Sequence, residues 1–597
     1  MVSMQNNPYS DSRFIGYVTL VSPTVIKVHF PSSILLKKFY RADEGLHALT
    51  GKYIVIEGSG SGFLGKIIEI GLPEKERLEL TESKYEKEAF HPTGKSELLL
   101  CFDNYALKAK KGLDQLPPVG AKVYLCSNDF LGLLLSNFGK KSGENEKGIY
   151  NERILPLAHL PDDLTKIINV SAQALFGRHC AVVGTTGGGK SWTVAKLIHE
   201  VIRNQGKAIL IDATGEYATF KNDEAVEYLR FNSDEENDRL FFNYKNLRET
   251  DIYALFRPTG QAQIPKLQEA MRSLKLVEIL KNKKDDEKTV NDKFILDVAN
   301  KYWTHNELQG ITLINKATLA RKNIITAYKE NVSVFNFECA LEMAALPFQI
   351  FKECIRDFGG ENNNYGTEDS NAQGFCQSLI SRILVTINSQ SFRSVFGFAK
   401  DALPKNEFAN KIDEFLGPKS SKSVFIISVA EVSTEHKLRE ILVNSIGRFL
   451  LEKAIKKEFR GKDKKSLLLF LDEAHLFLNK RVKDEYSIEV ELDAFERIAK
   501  ECRKYGLFLV LSTQMPRDIP RGVLSQMGTF IVHRLINQQD REAIEYACSE
   551  ANKSALSFLP ILSSGEAMLT GVDFPMPIIL KINEPQIKPD SETPLVM

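Results

Sequence analysis

The sequence lacks long hydrophobic runs, and this absence limits where the protein can reside. No apolar stretch approaches the roughly 20 residues that a membrane-spanning helix needs. The amino-terminal segment MVSMQNNPYSDSRF also lacks the apolar core of a signal peptide. We therefore expect a cytoplasmic protein that has no contact with a membrane.

Closely paired cysteines are absent as well, and the net charge is small. The eight cysteines are scattered and form no CxxC pair, which indicates neither a zinc site nor a disulfide framework. The formal net charge is +1, so the chain as a whole does not attract nucleic acid. Any DNA contact would need charge concentrated on one surface, such as a pore.

The chain is long enough for several domains, since a single hydrophobic core rarely exceeds about 250–300 residues. Residues 1–135 contain runs rich in β-branched and aromatic residues, which predict a small barrel or sandwich. These runs are 14–30, 52–57, 63–70, 97–102 and 121–126. The glycines of 58–62 join two runs without a following helix, so we interpret them as a hairpin connection rather than a phosphate loop. The polar residues 136–150 predict a linker.

From residue 151 the pattern changes to short apolar runs that alternate with helical stretches. The runs are 180–184, 207–212, 424–430, 466–472 and 507–513. Such strands are typical of a mostly parallel sheet flanked by helices, an α/β fold. We assign 151–260 and 421–597 to this core, with a C-terminal extension in the second part, and 261–420 to a helical insertion. The charged run 281–288 is interpreted as a solvated loop.

A phosphate-binding motif lies at 184–191, where GTTGGGKS fits GxxxxGK[ST] between a strand and a helix. Its glycines let main-chain N–H groups point at phosphates, to which Lys190 adds a cation. The Ser191 hydroxyl is a predicted Mg²⁺ ligand. The predicted cofactors are ATP and Mg²⁺, and the predicted nucleotide-binding residues are Gly184, Thr185, Thr186, Gly187, Gly188, Gly189, Lys190, Ser191 and Trp192.

Two adjacent acids, Asp472 and Glu473, follow the apolar run SLLLFL. We expect them at the carboxyl end of a central strand beside the phosphate loop, with Asp472 in the Mg²⁺ shell. Glu473 is predicted to polarise the attacking water as general base. The structural alternative, an acidic helix cap, would need only one acid.

Two further polar residues follow apolar runs. Asp212 ends KAILID and is predicted to assist water or metal positioning, the alternative being a turn-forming aspartate. Gln514 follows the run 507–513 and is predicted to sense the γ-phosphate or to orient water. An ordinary polar strand terminus is the alternative for Gln514.

In their order along the chain, these segments resemble the HerA family of hexameric ATPases, relatives of the FtsK DNA pumps. The segments are FGRHCAVVGTTGGGKS, ILIDATGEY, LLLFLDEAH, ECRKYGLFLVLSTQMPRDIP and LPILSSGEAMLTG. The resemblance implies an amino-terminal β-barrel and a RecA-like P-loop core that assembles as a homo-hexamer. It also implies ATP at subunit boundaries and double-stranded DNA in a central channel.

A ring with ATP between subunits needs a cation from the neighbouring subunit to balance charge on the γ-phosphoryl oxygens. Arg503 is the first candidate, because the family has a similar basic stretch before its sensor strand. Arg178 also matches a family position. An ordinary surface arginine is the alternative for each, and Arg497 and Arg534 are possible substitutes.

The resemblance implies two functions. The first is an ATP-driven DNA translocase that works with a separately encoded effector, a nuclease or a sirtuin-like NAD-consuming enzyme, in antiphage defence. The effector must be another protein, because the chain itself contains no nuclease, protease or sirtuin-like motif. The resemblance implies that this effector docks on the barrel face. The second is a regulatory scaffold that activates the effector without translocating DNA. The basic segment 479–485 is either a pore loop or a solvated turn.

Overall fold

The computed structural model divides the chain into two compact units. Unit 1 comprises Met1–Gly206 and Phe508–Met597, and unit 2 comprises Lys207–Leu507. The described residues are 7–30, 49–71, 92–105, 109–110, 113–136, 144–145, 148–149, 153–161, 163–284, 295–297, 312–317, 320–336, 340–356, 364–398, 405–461, 464–478, 480–483, 489–548 and 553–591. Most of the predicted linker 136–150 lies outside these residues.

The secondary structure alternates strands and helices after an all-β start. The strands are β1 Phe14–Val21, β2 Val25–His29, β3 Tyr53–Ile56, β4 Ser61–Gly71, β5 Thr93–Asp103, β6 Ala109–Lys110, β7 Lys122–Leu125, β8 Glu144–Asn145, β9 Gly148–Ile149, β10 Ile154–Leu160, β11 Asp163–Ser171, β12 His179–Val183, β13 Lys207–Asp212, β14 Val226–Phe231, β15 Arg239–Phe241, β16 Ile295–Asp297, β17 Thr312–Ile314, β18 Asn406–Glu407, β19 Val424–Ser428, β20 Leu467–Leu471, β21 Lys480–Lys483, β22 Glu489–Leu492, β23 Leu507–Thr513, β24 Met527–Val532, β25 Glu566–Gly571 and β26 Ile578–Ile582. The α-helices are Asn128–Ser136, Ala172–Phe176, Lys190–Arg203, Glu249–Phe256, Gly260–Lys284, Arg321–Glu330, Leu346–Glu353, Ser370–Asn388, Gln390–Phe396, Phe408–Leu416, Leu438–Ile455, Ala494–Glu501, Arg521–Leu524, Gln538–Ala547 and Lys553–Leu556.

Unit 1 begins with the small barrel that the strand-like runs predict. Its strands are ordered β2-β1-β7-β3-β4-β5, and pairing of β2 with β5 closes the ring. Ile26 and Val28 point inward on either side of exposed Lys27, which is the period-two burial of a strand with one face in the core. The glycine-rich residues 58–62 lie at the β3–β4 connection and the start of β4. The predicted barrel is confirmed.

The rest of unit 1 carries one part of the predicted α/β core. Its strands follow the order β11-β10-β26-β25-β24-β12-β23. Strand β12 is parallel to both of its neighbours, whereas the strands from β24 outward to β11 pair antiparallel. All five residues of β12 are buried, as expected for a strand with both faces covered.

Unit 2 carries an all-parallel set of strands in the order β20-β13-β19-β14-β15-β18. Strands β13, β19 and β20 are three of the predicted apolar runs, and the mostly parallel sheet is confirmed. Strands β14, β15 and β18 are additions that the apolar runs did not indicate. Strand β14, VEYLRF, contains polar residues. All three strands lie toward one end of the strand order.

The predicted helical insertion is also present in unit 2. The described residues between β15 and β19 are mainly helical, with a small core around Leu276, Leu280 and Ile314. Residues 281–284 of the charged run continue the helix Gly260–Lys284, and 285–288 lie outside the described residues. Of the basic segment 479–485, residues 480–483 form β21, which pairs with β22, and the others are not described.

No helix among the described residues has both the length and the apolar character to cross a bilayer.

Candidate nucleotide-binding site

The phosphate loop, residues 184–189, joins a buried strand to a helix in unit 1. The helix Lys190–Arg203 begins directly after the loop. Gly187 and Gly189 have φ angles of +71° and +106°, in the left-handed region that glycine adopts without strain. Such a path turns successive main-chain N–H groups toward an anion at the helix amino terminus.

Two distant segments fix the loop through main-chain hydrogen bonds. The Thr185 N–H donates to the Arg534 carbonyl over 3.0 Å, and the Gly565 N–H donates to the Gly188 carbonyl over 3.3 Å. The first partner follows β24 and the second precedes β25. The loop is therefore shaped by the antiparallel strands of unit 1 as well as by its own glycines.

The first turn of the following helix presents three of the predicted nucleotide-binding side chains. Lys190 is only 7% exposed, and its Nζ donates to the Thr185 carbonyl over 3.3 Å. Trp192, after Ser191, is 36% exposed, and the Lys588 Nζ lies 5.3 Å from its ring centroid. A Lys ammonium at this distance is within the range of a cation–π interaction.

A buried histidine beneath the loop is a residue that the sequence analysis missed. His533 is fully buried, and its Nδ1 lies 2.9 Å from the Glu566 carbonyl. Because a carbonyl only accepts, Nδ1 carries the proton, and Nε2 accepts from the Thr193 hydroxyl over 2.8 Å. Burial lowers the His533 pKa to about 4, with the Lys190 charge acting in the same direction. His533 is therefore a neutral support at pH 7.

Steric contacts also connect His533 to the loop. A Cβ added to Gly184 would lie 2.5 Å from the His533 Cβ, and one added to Gly189 would lie 3.2 Å from the Gly565 Cα. Glycine is thus required at Gly184 by close packing and at Gly189 by both packing and φ. The signal that could have identified His533 is the apolar run MGTFIV, which it directly follows.

Gln514 and Thr186, both predicted from sequence, come together at the loop. Gln514 follows β23, and its Oε1 accepts a hydrogen bond from the Thr186 hydroxyl. Since β23 pairs in parallel with β12, the carboxyl end of each strand lies at the same edge. The amide is therefore held next to the phosphate loop.

Unit 2 holds the two adjacent acids at the end of β20. Leu471 pairs with Ile211 of β13, and the Asp472 N–H donates to the Ile211 carbonyl over 3.1 Å. Asp472 is 4% exposed and Glu473 is 8% exposed. The Glu473 Oε2 lies 3.2 Å from His475 Nδ1. Both carboxyls are thus buried at the carboxyl end of a parallel strand.

The backbone of Glu473 is in an unusual conformation. Its φ and ψ are +43° and +50°, the left-handed region. For a residue with a Cβ this conformation costs about 1–2 kcal/mol. The Glu473 carbonyl then accepts from the Leu476 N–H over 2.8 Å and starts a short 3₁₀ turn. Such strain is often found where a side chain must point in a functional direction.

Asp212, the third predicted acid, is engaged by its own turn. Its Oδ1 accepts from the N–H groups of Gly215 at 2.8 Å and Thr214 at 3.2 Å, and Oδ2 accepts from the Tyr217 N–H at 3.3 Å. Burial raises its pKa to about 6, against the effect of these three donors. This is the turn-forming interaction that the sequence left open as the alternative.

Arg178 is not brought to the phosphate loop of its own chain. It precedes β12, at the opposite end of that strand from the loop. Its Nε lies 2.7 Å from the Asp573 Oδ2, and its side chain covers Gly528. The guanidinium is therefore paired within unit 1.

The other predicted arginines differ in their surroundings. Arg503 is exposed, in the 3₁₀ turn Cys502–Tyr505 that precedes β23. Arg497 is also exposed at the surface of the helix Ala494–Glu501 and has an acidic neighbour at i+4. Arg534 contributes its main-chain carbonyl to the phosphate loop.

The predicted Mg²⁺ ligands, Ser191 and Asp472, each carry an oxygen donor. Among the described residues, no group of three or more His, Cys, Asp and Glu side chains is arranged to hold a metal ion. Mg²⁺ commonly takes one or two protein oxygens together with phosphates and waters. The oxygen donors of Ser191 and Asp472 are of the type that this ion prefers.

Comparison with known proteins identifies two matching family models. The model described as "Helicase HerA, central domain" matches residues 158–352, and "Helicase HerA-like C-terminal" matches residues 450–573. Together these matches cover more than half of the chain. They include the phosphate loop, Asp472, Glu473, Gln514 and His533.

Similar proteins and structures extend the comparison. "Probable helicase MJECL08" of Methanocaldococcus jannaschii is 25% identical over 479 residues, 78% of this chain and 74% of that protein. "DNA double-strand break repair helicase HerA" of Sulfurisphaera tokodaii is 25% identical over 266 residues, 41% of this chain and 50% of that protein. The structure of VirB4 of Thermoanaerobacter pseudethanolicus covers 72% of this chain and 97% of its own, with 14% identity and a TM-score of 0.42.

Proposed function

This chain belongs to the HerA family of P-loop ATPases, and on this premise we propose that it hydrolyses ATP to drive a DNA translocase or helicase-like motor. The observation that carries the proposal is the phosphate loop of residues 184–189. Two of its glycines are in the left-handed region, a helix starts at Lys190, and the Lys190 side chain is held at the loop. These features suit the β- and γ-phosphates of a nucleotide.

Roles for the polar side chains follow from their chemistry. Lys190 balances phosphate charge, Ser191 and Asp472 are the protein ligands for Mg²⁺, and Glu473 accepts a proton from the attacking water. The strained backbone at Glu473 supports a directed carboxylate. Bound Mg²⁺ would supply positive charge where negative charge develops on the phosphoryl oxygens.

The remaining polar residues have supporting roles in this proposal. Gln514, bonded to Thr186, orients water or responds to the γ-phosphate. Asp212 fixes the turn that follows β13. An arginine from a neighbouring subunit balances charge on the γ-phosphoryl oxygens, and exposed Arg503 is the first candidate.

The proposed assembly is a homo-hexamer with double-stranded DNA in its channel. The name of the Sulfurisphaera relative, a DNA double-strand break repair helicase, supports a DNA substrate. A separately encoded effector, a nuclease or an NAD-consuming enzyme, would dock on the barrel in antiphage defence. The closed barrel has no free edge among its six ring strands, so an effector would contact loops and strand faces rather than add a strand.

The test of the proposal compares two substitutions in the full chain. Lys190→Ala should weaken ATP binding and abolish turnover, because the phosphate charge loses its cation. Glu473→Gln should bind ATP nearly as well as wild type but lower kcat about 100-fold or more, because the base is lost. Steady-state ATPase rates and the Kd of a fluorescent ATP analogue separate the two effects.

Matched controls are available on the surface. Lys419→Ala and Glu496→Gln make the same chemical changes at exposed or partly exposed positions and should leave both quantities unchanged. A near-wild-type rate for Glu473→Gln would contradict its role as base. Wild-type protein without any Lys190-dependent ATP hydrolysis would contradict the proposed function as a whole.

A regulatory scaffold is the second candidate. It is favoured by the helices described between β15 and β19, which offer surface beyond the sheet. Double-stranded DNA separates the candidates. A motor should show a several-fold higher ATPase rate with linear duplex and should displace a blocked triplex strand. A scaffold should hydrolyse ATP at a rate that DNA leaves unchanged.

A further inference from the structure

Tyr217 lies in the turn that follows Asp212, within the segment DATGEY. Gly215 turns the chain with a φ of +86°, and the 3₁₀ helix Glu216–Asn222 begins there. The Tyr217 N–H donates to the Asp212 Oδ2 over 3.3 Å. Tyr217 is fully buried, and its ring lies 6.5 Å from that of Phe220. The main chain therefore holds this ring inside unit 2.

The acids at the ends of β13 and β20 act on the Tyr217 hydroxyl through their charge. Because Ile211 pairs with Leu471, Asp212 and Asp472 follow a matched pair on adjacent parallel strands, which lie about 4.8 Å apart. Burial raises the Tyr217 pKa well above its ordinary value, and Asp472 is the strongest of the carboxylates that add to this effect. Asp212, Glu216 and Glu473 contribute in the same direction.

Within the described part of the chain, the Tyr217 hydroxyl is buried and has no hydrogen-bond partner. A buried donor without a partner is unfavourable, whereas a phenyl ring would fill the same space without a polar group. Asp212 cannot easily turn toward this hydroxyl, because its two oxygens already accept three main-chain N–H groups. Of the other carboxylates whose charge acts on this hydroxyl, Asp472 has a stronger effect than Glu216 or Glu473 and is therefore the first candidate acceptor.

We propose that Tyr217 is a positioning residue of the ATPase site, and that its hydroxyl donates a hydrogen bond to the Asp472 carboxylate in the nucleotide-loaded state. This inference rests on the proposed function, since it assigns Asp472 the task of holding Mg²⁺. The hydrogen bond would engage one Asp472 oxygen, so that the other could hold Mg²⁺. The Tyr217 hydroxyl, which has no hydrogen-bond partner among the described residues, thus gains one when nucleotide binds.

Tyr217→Phe tests this role with a minimal change. We expect kcat to fall about tenfold or more and the Mg²⁺ concentration for half-maximal rate to rise, since one hydrogen bond to a charged group is lost. ATP binding, governed by the phosphate loop, should stay within about twofold. Without nucleotide, the Tm of Tyr217→Phe should equal or exceed that of wild type, because a buried unsatisfied hydroxyl is removed.

Tyr228→Phe is the matched control, because the Tyr228 hydroxyl of β14 has a partner in Ser428. Its Tm should fall and its kcat should stay near wild type. For Tyr217→Phe, a kcat within about twofold of wild type, or a lower Tm without nucleotide, would overturn the inference. Lys190→Ala measured in parallel separates failure of this inference from failure of the proposed function. If wild type hydrolyses ATP no faster than Lys190→Ala, the proposed function itself fails.

Discussion

The neutral histidine beneath the phosphate loop makes a quantitative prediction about acid stability. His533 is fully buried, donates from Nδ1 to the Glu566 carbonyl and accepts from the Thr193 hydroxyl. Protonation would place a second donor opposite Thr193 and a charge near Lys190. The folded chain should therefore resist protonation of His533, and acid should destabilise the fold.

The sign and size of the effect follow from the two pKa values. The His533 pKa is about 4 in the folded chain and about 6.5 in an unfolded chain. Because the folded value is lower, the contribution to stability is complete above about pH 6.5 and is lost as pH falls toward 4. At about 1.36 kcal/mol for each pKa unit, roughly 3 kcal/mol disappears in total, of which about 2 kcal/mol is lost between pH 7 and pH 5.

His533→Asn isolates this contribution, because its amide has both a donor and an acceptor but does not titrate. Urea unfolding of the full chain at pH 7 and pH 5 should show that wild type loses about 2 kcal/mol more than His533→Asn. His159→Asn on β10 is the control and should follow wild type. Equal losses in wild type and His533→Asn would refute a neutral, buried His533. The raised pKa of Asp212 acts in the opposite direction and is common to all three proteins.

Two further predictions concern assembly and nucleotide contact. Subunits carrying Arg503→Ala should regain partial ATPase activity when mixed with Glu473→Gln subunits, because some mixed interfaces combine an intact arginine with an intact base. If mixed hexamers form and show no such recovery, the role of Arg503 is contradicted. Trp303→Phe leaves Trp192 as the only tryptophan of the sequence. The fluorescence of Trp192 should change when ATP is added, because its ring lies beside the phosphate loop and in contact with the charged Lys588 side chain. Saturating ATP binding without any fluorescence change would place the nucleotide away from Trp192.

The barrel, the buried strands and the phosphate loop could be predicted because their signals are local. A strand covered on both faces appears as a continuous apolar run, as in CAVV of β12 and LLLFL of β20. The phosphate loop needs glycines at fixed spacing from Lys190, which a single segment displays. These features depend on short-range geometry, so one stretch of sequence contains the whole signal.

Other features depend on partners far along the chain. His533 contacts Thr193 across 340 positions, and no spacing rule connects the two. The turn at Asp212 uses the main-chain N–H groups of Thr214, Gly215 and Tyr217, and the sequence could offer this turn only as an alternative to a role in water or metal positioning. Strand β14 was missed because polar residues interrupt it, and β15 because it has only three residues. Such contacts appear only when the chain is folded.

Arg503 and Arg178, the two arginines suggested by the resemblance to the family, differ in burial and in ion pairing. Arg178 is three-quarters buried and paired with Asp573 at 2.7 Å, so reaching a phosphate on another subunit would break an ion pair that is shielded from water. Arg503 is exposed in a short turn before β23, where its guanidinium can change direction at little cost. A cation that acts across a subunit boundary must be accessible in the single chain and must exchange water for phosphate on assembly. Arg503 meets this condition, whereas Arg178 is better suited to fixing β12 and β24 behind the phosphate loop.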